Sequence, residues 1–537
     1  MDRIRVTFEP DGVAAAVLVG STAHAAAVAA GVRIDLPCGG VGRCGRCKVR
    51  VDGEVSPPTS DEMSVVAMDE LARGIRLACR VRLLSDATVN IADHGQVRVM
   101  TDAVLEEALE VEPPSDRGID HLDDSPYLLG AAVDIGTTTV AVSLIDLENG
   151  DELATSGMLN VQYPWGADVM TRITMAVHEG TAILQQPIAM QIERMIVSML
   201  EPLEATSADV REIAVVGNTA MTNAFLGADL SPLASAPYEG AALEAVYVSA
   251  ALVGMSVFNL ATCYVLPGVS AFVGADVTAD LVATALADRE TRALLLDLGT
   301  NGEMVLSGPG GMIAASAAAG PALEGAGIMS GMRAEPGAIE RVWLKGGDIT
   351  FATVGGIPPM GICGSGVLDL VAALLEAGVL DSSGRLLTGV SGPIGERVIE
   401  RGDIRAFVVD ADAGIVFSQK DVRAVQLAKG AVRTALDLLL AEGGLVPEDV
   451  GEVLVAGGFG YHVEGPALAR IGLIPAEWID RLTFVGNTAK EGARRALVAS
   501  AVRRRAEEIA ASVRTLELVS HPDFQSRYIA SLDFPRL

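Results

Sequence analysis

The sequence predicts a small α+β module followed by a two-lobed α/β body, and three observations carry that prediction. Four of the six cysteines lie within the first 80 residues. An apolar strand that runs into an Asp-x-Gly-Thr turn occurs twice, at Asp134 and at Asp297. Charge is zoned: residues 1–100 are net neutral, 101–126 carry −8, and 127–537 carry the remaining −21 of a formal −29. The expected organisation is a head over 1–98, an acidic flexible linker over 99–126, a first lobe over 127–285 and a second lobe over 286–537.

Composition narrows the function. With 40 Lys+Arg against 69 Asp+Glu, the chain lacks the basic surface that neutralises phosphates, so nucleic acid is not a partner. Anionic lipid is excluded for the same reason. Half of the residues are hydrophobic, which rules out a disordered chain. Gly12–Val32 holds no formal charge and raises the question of a signal peptide or a membrane span. The run is mostly alanine, contains Gly12, Gly20 and Gly31, and follows Asp2, Glu9 and Asp11. It reads instead as a strand over Ala14–Val19 and a helix from an Ser21 cap to Ala30. The expected location is cytoplasmic.

The head is organised by Cys38, Cys44, Cys47 and Cys79, a C-x5-C-x2-C spacing followed by a distant fourth cysteine. Two cysteines two residues apart serve a metal or a redox pair. The loop holding the first three contains four glycines, which let backbone N–H groups turn inward onto cluster sulfides. Zinc and a disulfide are the alternatives that the residues leave open. The flanks suit a β-grasp module: a hairpin of Arg3–Phe8 with Ala14–Val19, a strand over Lys48–Val51, a Thr59/Glu62 capping box opening a helix through Ala72, and Ile75–Val81 carrying Cys79. Gly40–Gly45 matches G-x-G-x-x-G, but Pro37-Cys38 precedes it where a dinucleotide site needs a strand. Arg43, Arg46 and Lys48 crowd the loop and face solvent or a donor protein. The head resembles a [2Fe–2S] ferredoxin. Five residues between the first two cysteines place it with the adrenodoxin-like branch, and the resemblance implies all four cysteines as ligands. Cys263 and Cys363 stand alone and read as buried small residues.

Residues 101–126 contain Pro113-Pro114 and Pro126 and show no apolar period. A self-repelling tether that swings the head, or a passive spacer, is expected there.

The body has no Walker A loop. Leu128–Val133 leads into Asp134-Ile-Gly136-Thr137-Thr138-Thr139, and Ala293–Leu296 into Asp297-Leu-Gly299-Thr300-Asn301-Gly302. A carboxylate at a strand end can hold Mg²⁺ through water or orient a nucleophilic water, while glycine and threonine admit and bind phosphate oxygens. A third apolar strand, Val453–Ala456, precedes Gly457-Gly458-Phe459-Gly460, where paired glycines can pass a nucleoside. Gly217 and Asn218 form a strand–Gly–Asn–helix junction. Gly364 and Ser365 precede an apolar helix over Val367–Ala377, positioned for nucleotide or for packing. Asp421–Gly443 reads as a long helix. Val485–Thr488 opens another that ends in Arg494 and Arg495, with Arg503–Arg505 beyond as a solvated basic face. Phosphate-1, phosphate-2 and adenosine loops in this order look like the acetate/sugar kinase–Hsp70–actin (ASKHA) superfamily.

Head, linker and body together resemble the reductive activators of corrinoid-dependent enzymes, and the resemblance covers nearly the whole chain. It implies ATP-driven reduction of Co(II) to Co(I) on the corrinoid protein of a methyltransferase system. It also implies a [2Fe–2S] cluster, ATP and Mg²⁺ as cofactors, a low-potential ferredoxin- or flavodoxin-like donor, and a homodimer. Asp134 and Asp297 would serve Mg²⁺ and water. Plant-type clusters lie near about −400 mV. A gap of roughly 100 mV to the cobalt couple disfavours transfer about 50-fold, which is what ATP has to offset. The competing classes are a dehydratase-type activator, a redox-linked kinase, an oxygenase electron carrier and an ATP-gated scaffold.

Overall fold

The computed structural model describes residues 3–9, 12–30, 32, 34, 47–66, 68–91, 102–105, 109–119, 125–240, 242–401, 404–457 and 463–536. It divides into two compact units, Met1–Gln96 and Val97–Leu537.

The head unit is a five-stranded sheet. Its strands run in the order Val13–Leu18, Arg3–Glu9, Leu83–Ile91, Lys48–Val55, Ile75–Leu77. The first strand pairs antiparallel with its hairpin partner and parallel with Leu83–Ile91, the β-grasp arrangement. Val6, Phe8, Leu77, Leu83 and Val89 alternate inward and are fully buried beneath the helix Ala23–Ala30. The cap of that helix is Thr22, whose hydroxyl accepts from the Ala25 N–H, one residue beyond the expected Ser21. The Thr59/Glu62 capping box forms as expected. The helix it opens is broken, however, into Ser60–Val65 and Met68–Ala72. Glu62 does more than cap. Its buried carboxylate also accepts from Arg76 and from the Leu77 N–H, tying the segment to the strand that precedes Cys79.

The second unit holds two six-stranded sheets with the same internal plan. In the first, Leu129–Ile135, Thr139–Asp146 and Glu152–Leu159 form an antiparallel meander. Val210–Gly217 then adds parallel to the first of these, and Thr262–Val265 parallel to Val210–Gly217. In the second, Ala293–Leu298, Gly302–Gly308 and Gly311–Ala317 form the meander. Glu452–Ala456 and Leu482–Gly486 add in parallel on the same side. The duplication inferred from two turns therefore extends to five strands of each sheet, the sixth strands, Val246–Ser249 and Arg514–Thr515, lying at opposite edges. Helices Ala275–Ala283 and Thr488–Val498 pack between the sheets in one apolar core that includes Ala279, Leu281, Ala493 and Leu497.

Two expectations change. The described parts of the linker are docked rather than swinging. Val104 donates to the Val485 carbonyl, and the Glu112 carboxylate accepts from the Ser500 and Ala501 N–H groups. Arg117, the only base in 101–126, donates to the Leu147 and Leu497 carbonyls. Composition describes the net charge of such a strip but not the few groups that pin it. The second lobe also does not end on itself. After Leu482–Gly486 the chain returns to the first sheet, where Lys490 donates to Ser143 and Glu152 and Arg503 binds Glu212. Arg503 is thus buried, not part of a solvated basic face. Among the described residues no helix is long and apolar enough to cross a membrane.

Candidate nucleotide and cluster sites

The two phosphate-type turns of the sequence meet. The Thr138 and Thr300 hydroxyls stand 3.1 Å apart, and Thr300 donates to Glu324 at 2.9 Å. The first turn is fixed from three sides. Asn160 donates to the Gly136 carbonyl, Arg172 to the Thr137 carbonyl, and Asn218 to the Thr137 hydroxyl. Thr139 begins the return strand of the hairpin. In the second turn the Gly299 N–H donates to the Asn301 carbonyl, which closes it, and Gly302 starts the return strand.

Asp134 and Asp297 are each the last residue but one of the first strand of their meander. Asp134 accepts from Asn487 Nδ2 at 3.0 Å. Gly457, with φ +91°, lies against Asp297: a Cβ there would stand 2.4 Å from the aspartate Oδ1. The strand Glu452–Ala456 runs beside Ala293–Leu298 in parallel with Ala456 opposite Asp297, so Gly457 emerges one residue past it. Gly458, Phe459 and Gly460 lie outside the described residues. Gly364 and Ser365 belong to the first turn of the helix Gly364–Glu376, which starts three residues before the expected Val367. A Cβ on Gly364 would meet the Leu323 carbonyl at 2.1 Å, and the Ser365 hydroxyl donates to the Glu340 carbonyl. Gly364 thus packs closely against the segment that carries Glu324.

Four carboxylates that the sequence reading did not single out join the two aspartates: Asp276, Asp280, Glu303 and Glu324. Burial is the main cause of raised carboxyl pKa values throughout. It pushes Asp134 to about 6 against the pull of Asn487 and Lys490. With like charges nearby it pushes Asp276 to about 7 and Asp297 to about 8, and it raises Asp280, Glu303 and Glu324. Glu303 faces Asp297 directly across the hairpin. Two like charges so paired are unfavourable unless a proton or a cation joins them. Glu303 was legible in the turn Gly302-Glu303 itself. Asp276 and Asp280 come from a helix far along the chain and carry no local signal.

In the head, Cys47 Sγ and Cys79 Sγ approach to 3.3 Å as free thiols. Two thiols converging at this distance fit adjacent ligands of one metal. Cys38 and Cys44 lie outside the described residues, as do Arg43 and Arg46. Lys48 is held by Glu70 rather than facing solvent alone. Cys263 and Cys363 are buried as expected, and burial pushes the Cys263 thiol to about 12.

Fold and site define a ferredoxin-type head on a duplicated, ASKHA-type body with acidic phosphate turns. Residues 6–84 match the family model described as "2Fe-2S iron-sulfur cluster binding domain". Residues 129–289 match "RACo middle region", and 291–537 match "C-terminal domain of RACo the ASKHA domain". The chain is 30% identical to "Corrinoid activation enzyme RamQ" of Eubacterium limosum, over 94% of each chain. It is 27% identical to "[Co(II) methylated amine-specific corrinoid protein] reductase" of Methanosarcina barkeri, over 76% of this chain and 77% of that one. A solved structure titled "Reductive activator for corrinoid,iron-sulfur protein" superposes with a TM-score of 0.73 at 30% identity, covering 99% of this chain and 98% of that one. The chain belongs to the family of reductive activators of corrinoid proteins.

Proposed function

We infer that the protein is an ATP-dependent iron–sulfur reductase that returns a corrinoid protein from Co(II) to Co(I). The observation that carries this reading is the end-to-end match, head and body together, to a relative named as a corrinoid activation enzyme. Cys38, Cys44, Cys47 and Cys79 would hold the [2Fe–2S] cluster, which supplies one-electron transfer at low potential. Thr137, Thr138, Thr139, Thr300 and Asn301 donate to phosphate oxygens. Gly136, Gly217, Asn218, Gly299 and Gly302 shape the turns, and Gly457–Gly460 admit the adenosine.

Mg²⁺ belongs in this reading on electrostatic grounds. A triphosphate cannot enter beside Asp134, Asp276, Asp297, Glu303 and Glu324 unless a cation lies between them. Among the described residues no group of three carboxylates converges closely enough to ligate one ion. Asp134 and Asp297 would hold such a cation through water. The proposed partner is the corrinoid protein of a methyltransferase system, the donor a low-potential ferredoxin or flavodoxin, the assembly a homodimer and the location cytoplasmic.

The test mixes the full-length protein anaerobically with a Co(II) corrinoid protein, a low-potential reductant and Mg-ATP, and reads the Co(I) absorption band. Cys44→Ser and Asp297→Ala are expected to slow its appearance at least tenfold. An Asp297→Ala protein as fast as wild type would end the ATP coupling.

A further inference from the structure

The pentapeptide Val-Gly-Asn-Thr-Ala occurs twice, at 216–220 and at 485–489. Each copy ends a strand and opens a helix. In each, the asparagine caps the helix through its side-chain oxygen: Asn218 Oδ1 accepts from the Met221 N–H at 3.1 Å, Asn487 Oδ1 from the Lys490 N–H at 2.9 Å. A capping asparagine retains an amide NH₂ that can be aimed elsewhere. Both are aimed at the same loop. Asn218 Nδ2 donates to Thr137 Oγ1 and Asn487 Nδ2 to Asp134 Oδ2, each at 3.0 Å.

The second copy differs in what holds it. The Asn487 N–H donates to the Asp102 carbonyl at 3.0 Å, and the Val104 N–H donates to the Val485 carbonyl at 2.9 Å. Ala103 and Gly486 form an antiparallel bridge. The approach is close: a Cβ on Gly486 would stand 2.3 Å from the Asp102 oxygen. Asn487 is thus gripped on its backbone by the segment that arrives from the head, and grips Asp134 with its side chain.

We propose that Asn487 is a positioning residue for Asp134, and that the anchor at Asp102–Val104 sets where Asn487 stands. The proposal rests on the reading of Asp134 as a nucleotide-site residue. A hydrogen bond to a carboxylate fixes which oxygen faces the neighbouring turn, and a shift of the anchor by a fraction of an ångström lengthens it. Because coupling of two equilibria is reciprocal, nucleotide at Asp134 also bears on the linker.

The experiment measures steady-state ATPase and thermal unfolding of the full-length protein. In Asn487→Ser the hydroxyl keeps the cap but cannot reach Asp134. Asn487→Ala loses both bonds, and Val104→Pro removes an anchor N–H without touching a phosphate turn. The expected result for Asn487→Ser is a kcat about tenfold lower, with the KM for ATP within about threefold and Tm within a few degrees of wild type. Asn487→Ala repeats the kcat loss and adds a Tm loss. Val104→Pro lowers kcat at least about threefold. Wild-type kcat in Asn487→Ser makes the residue a cap only and overturns the proposal. Wild-type kcat in Val104→Pro overturns its linker half. Asp134→Asn separates the premise: if that protein keeps wild-type ATPase while Asn487→Ser does not, the reading of Asp134 is what fails.

Discussion

Arg503 and Arg117 share one carboxylate in the interior, and the arithmetic of their charges is set by Glu212. Arg503 forks onto both Glu212 oxygens at 3.1 and 2.7 Å, and Arg117 approaches the same group at 3.7 Å. The two guanidinium groups also donate to the carbonyls of Ala496, Leu497, Leu147 and Glu112. Arg503 also lies 4.9 Å over the Tyr264 ring. Removing the carboxylate leaves Arg503 buried without its ion-pair partner and Arg117 with only the more distant charge of Glu112, which costs about 3–5 kcal/mol. Glu212→Ala is therefore expected to lower Tm by several degrees, and Glu212→Gln by less because it keeps an acceptor. A loss below about 1 kcal/mol in chemical denaturation would show that the carbonyls alone hold the arginines. No local pattern announces this site. Arg503, Arg504 and Arg505 look alike in sequence, and only the return of the chain to the first sheet buries one of them. The cysteine spacing was legible because its chemistry is local. Most of the carboxylate cluster was not: Glu303 lies in the second turn itself, but Asp276, Asp280 and Glu324 come from two other elements and join it only after both sheets have formed.

At the scale of elements, the decisive contact is the crossing of the helices Ala275–Ala283 and Thr488–Val498. Gly492 sits at the crossing, and a Cβ there would stand 2.2 Å from the Ala279 carbonyl. Backbone meets backbone, so no side-chain rotation can absorb a methyl group. The same pair of helices carries Asp276 and Asp280 on one side and Thr488 on the other, with Thr488 donating to Asp280. Gly492→Ala has to separate the helices and so disturb the floor of the acidic cluster. The expected outcome is a stability loss of about 1–3 kcal/mol together with a several-fold rise in the KM for ATP, read by thermal unfolding and steady-state kinetics. Wild-type KM at reduced Tm would confine the crossing to a structural role. The elements themselves were largely readable: both strand–turn–strand units, the apolar strand before Gly457 and the long helix, observed at Gln419–Glu442, lie where apolar runs and glycines put them. What the sequence could not show was which elements cross. Gly492 is one small residue among many, and its meaning depends on a helix more than 200 positions earlier.

For the whole molecule, the formal charge of −29 matters less through its size than through where part of it is buried. Asp134, Asp276 and Asp297, lifted by burial to about 6, 7 and 8, bind protons in the folded state that the unfolded chain releases near pH 4. Protonation therefore favours folding. The contribution is complete below about pH 4 and is lost as pH rises through 6 to 8, the reverse of the usual paired carboxylate. Glu62 is such a paired group: hydrogen bonds from Arg76, Thr59 and Leu77 outweigh its burial and lower its pKa, so its contribution is lost only toward acid. The nucleotide-free protein should accordingly lose thermal stability between pH 6 and pH 8.5. Asp297→Asn removes one of the charges that must be exposed to its neighbours at high pH, so its Tm should fall less steeply and exceed the wild-type value at pH 8.5. If Mg-ATP enters the cluster as proposed, its cation would take the place of the missing protons, and it should raise the wild-type Tm more at pH 8 than at pH 6. Differential scanning at five or six pH values, with and without Mg-ATP, reads all three. Parallel curves for wild type and Asp297→Asn would mean that the cluster does not titrate in this window, and that the acidity of the body is paid for by its surface alone.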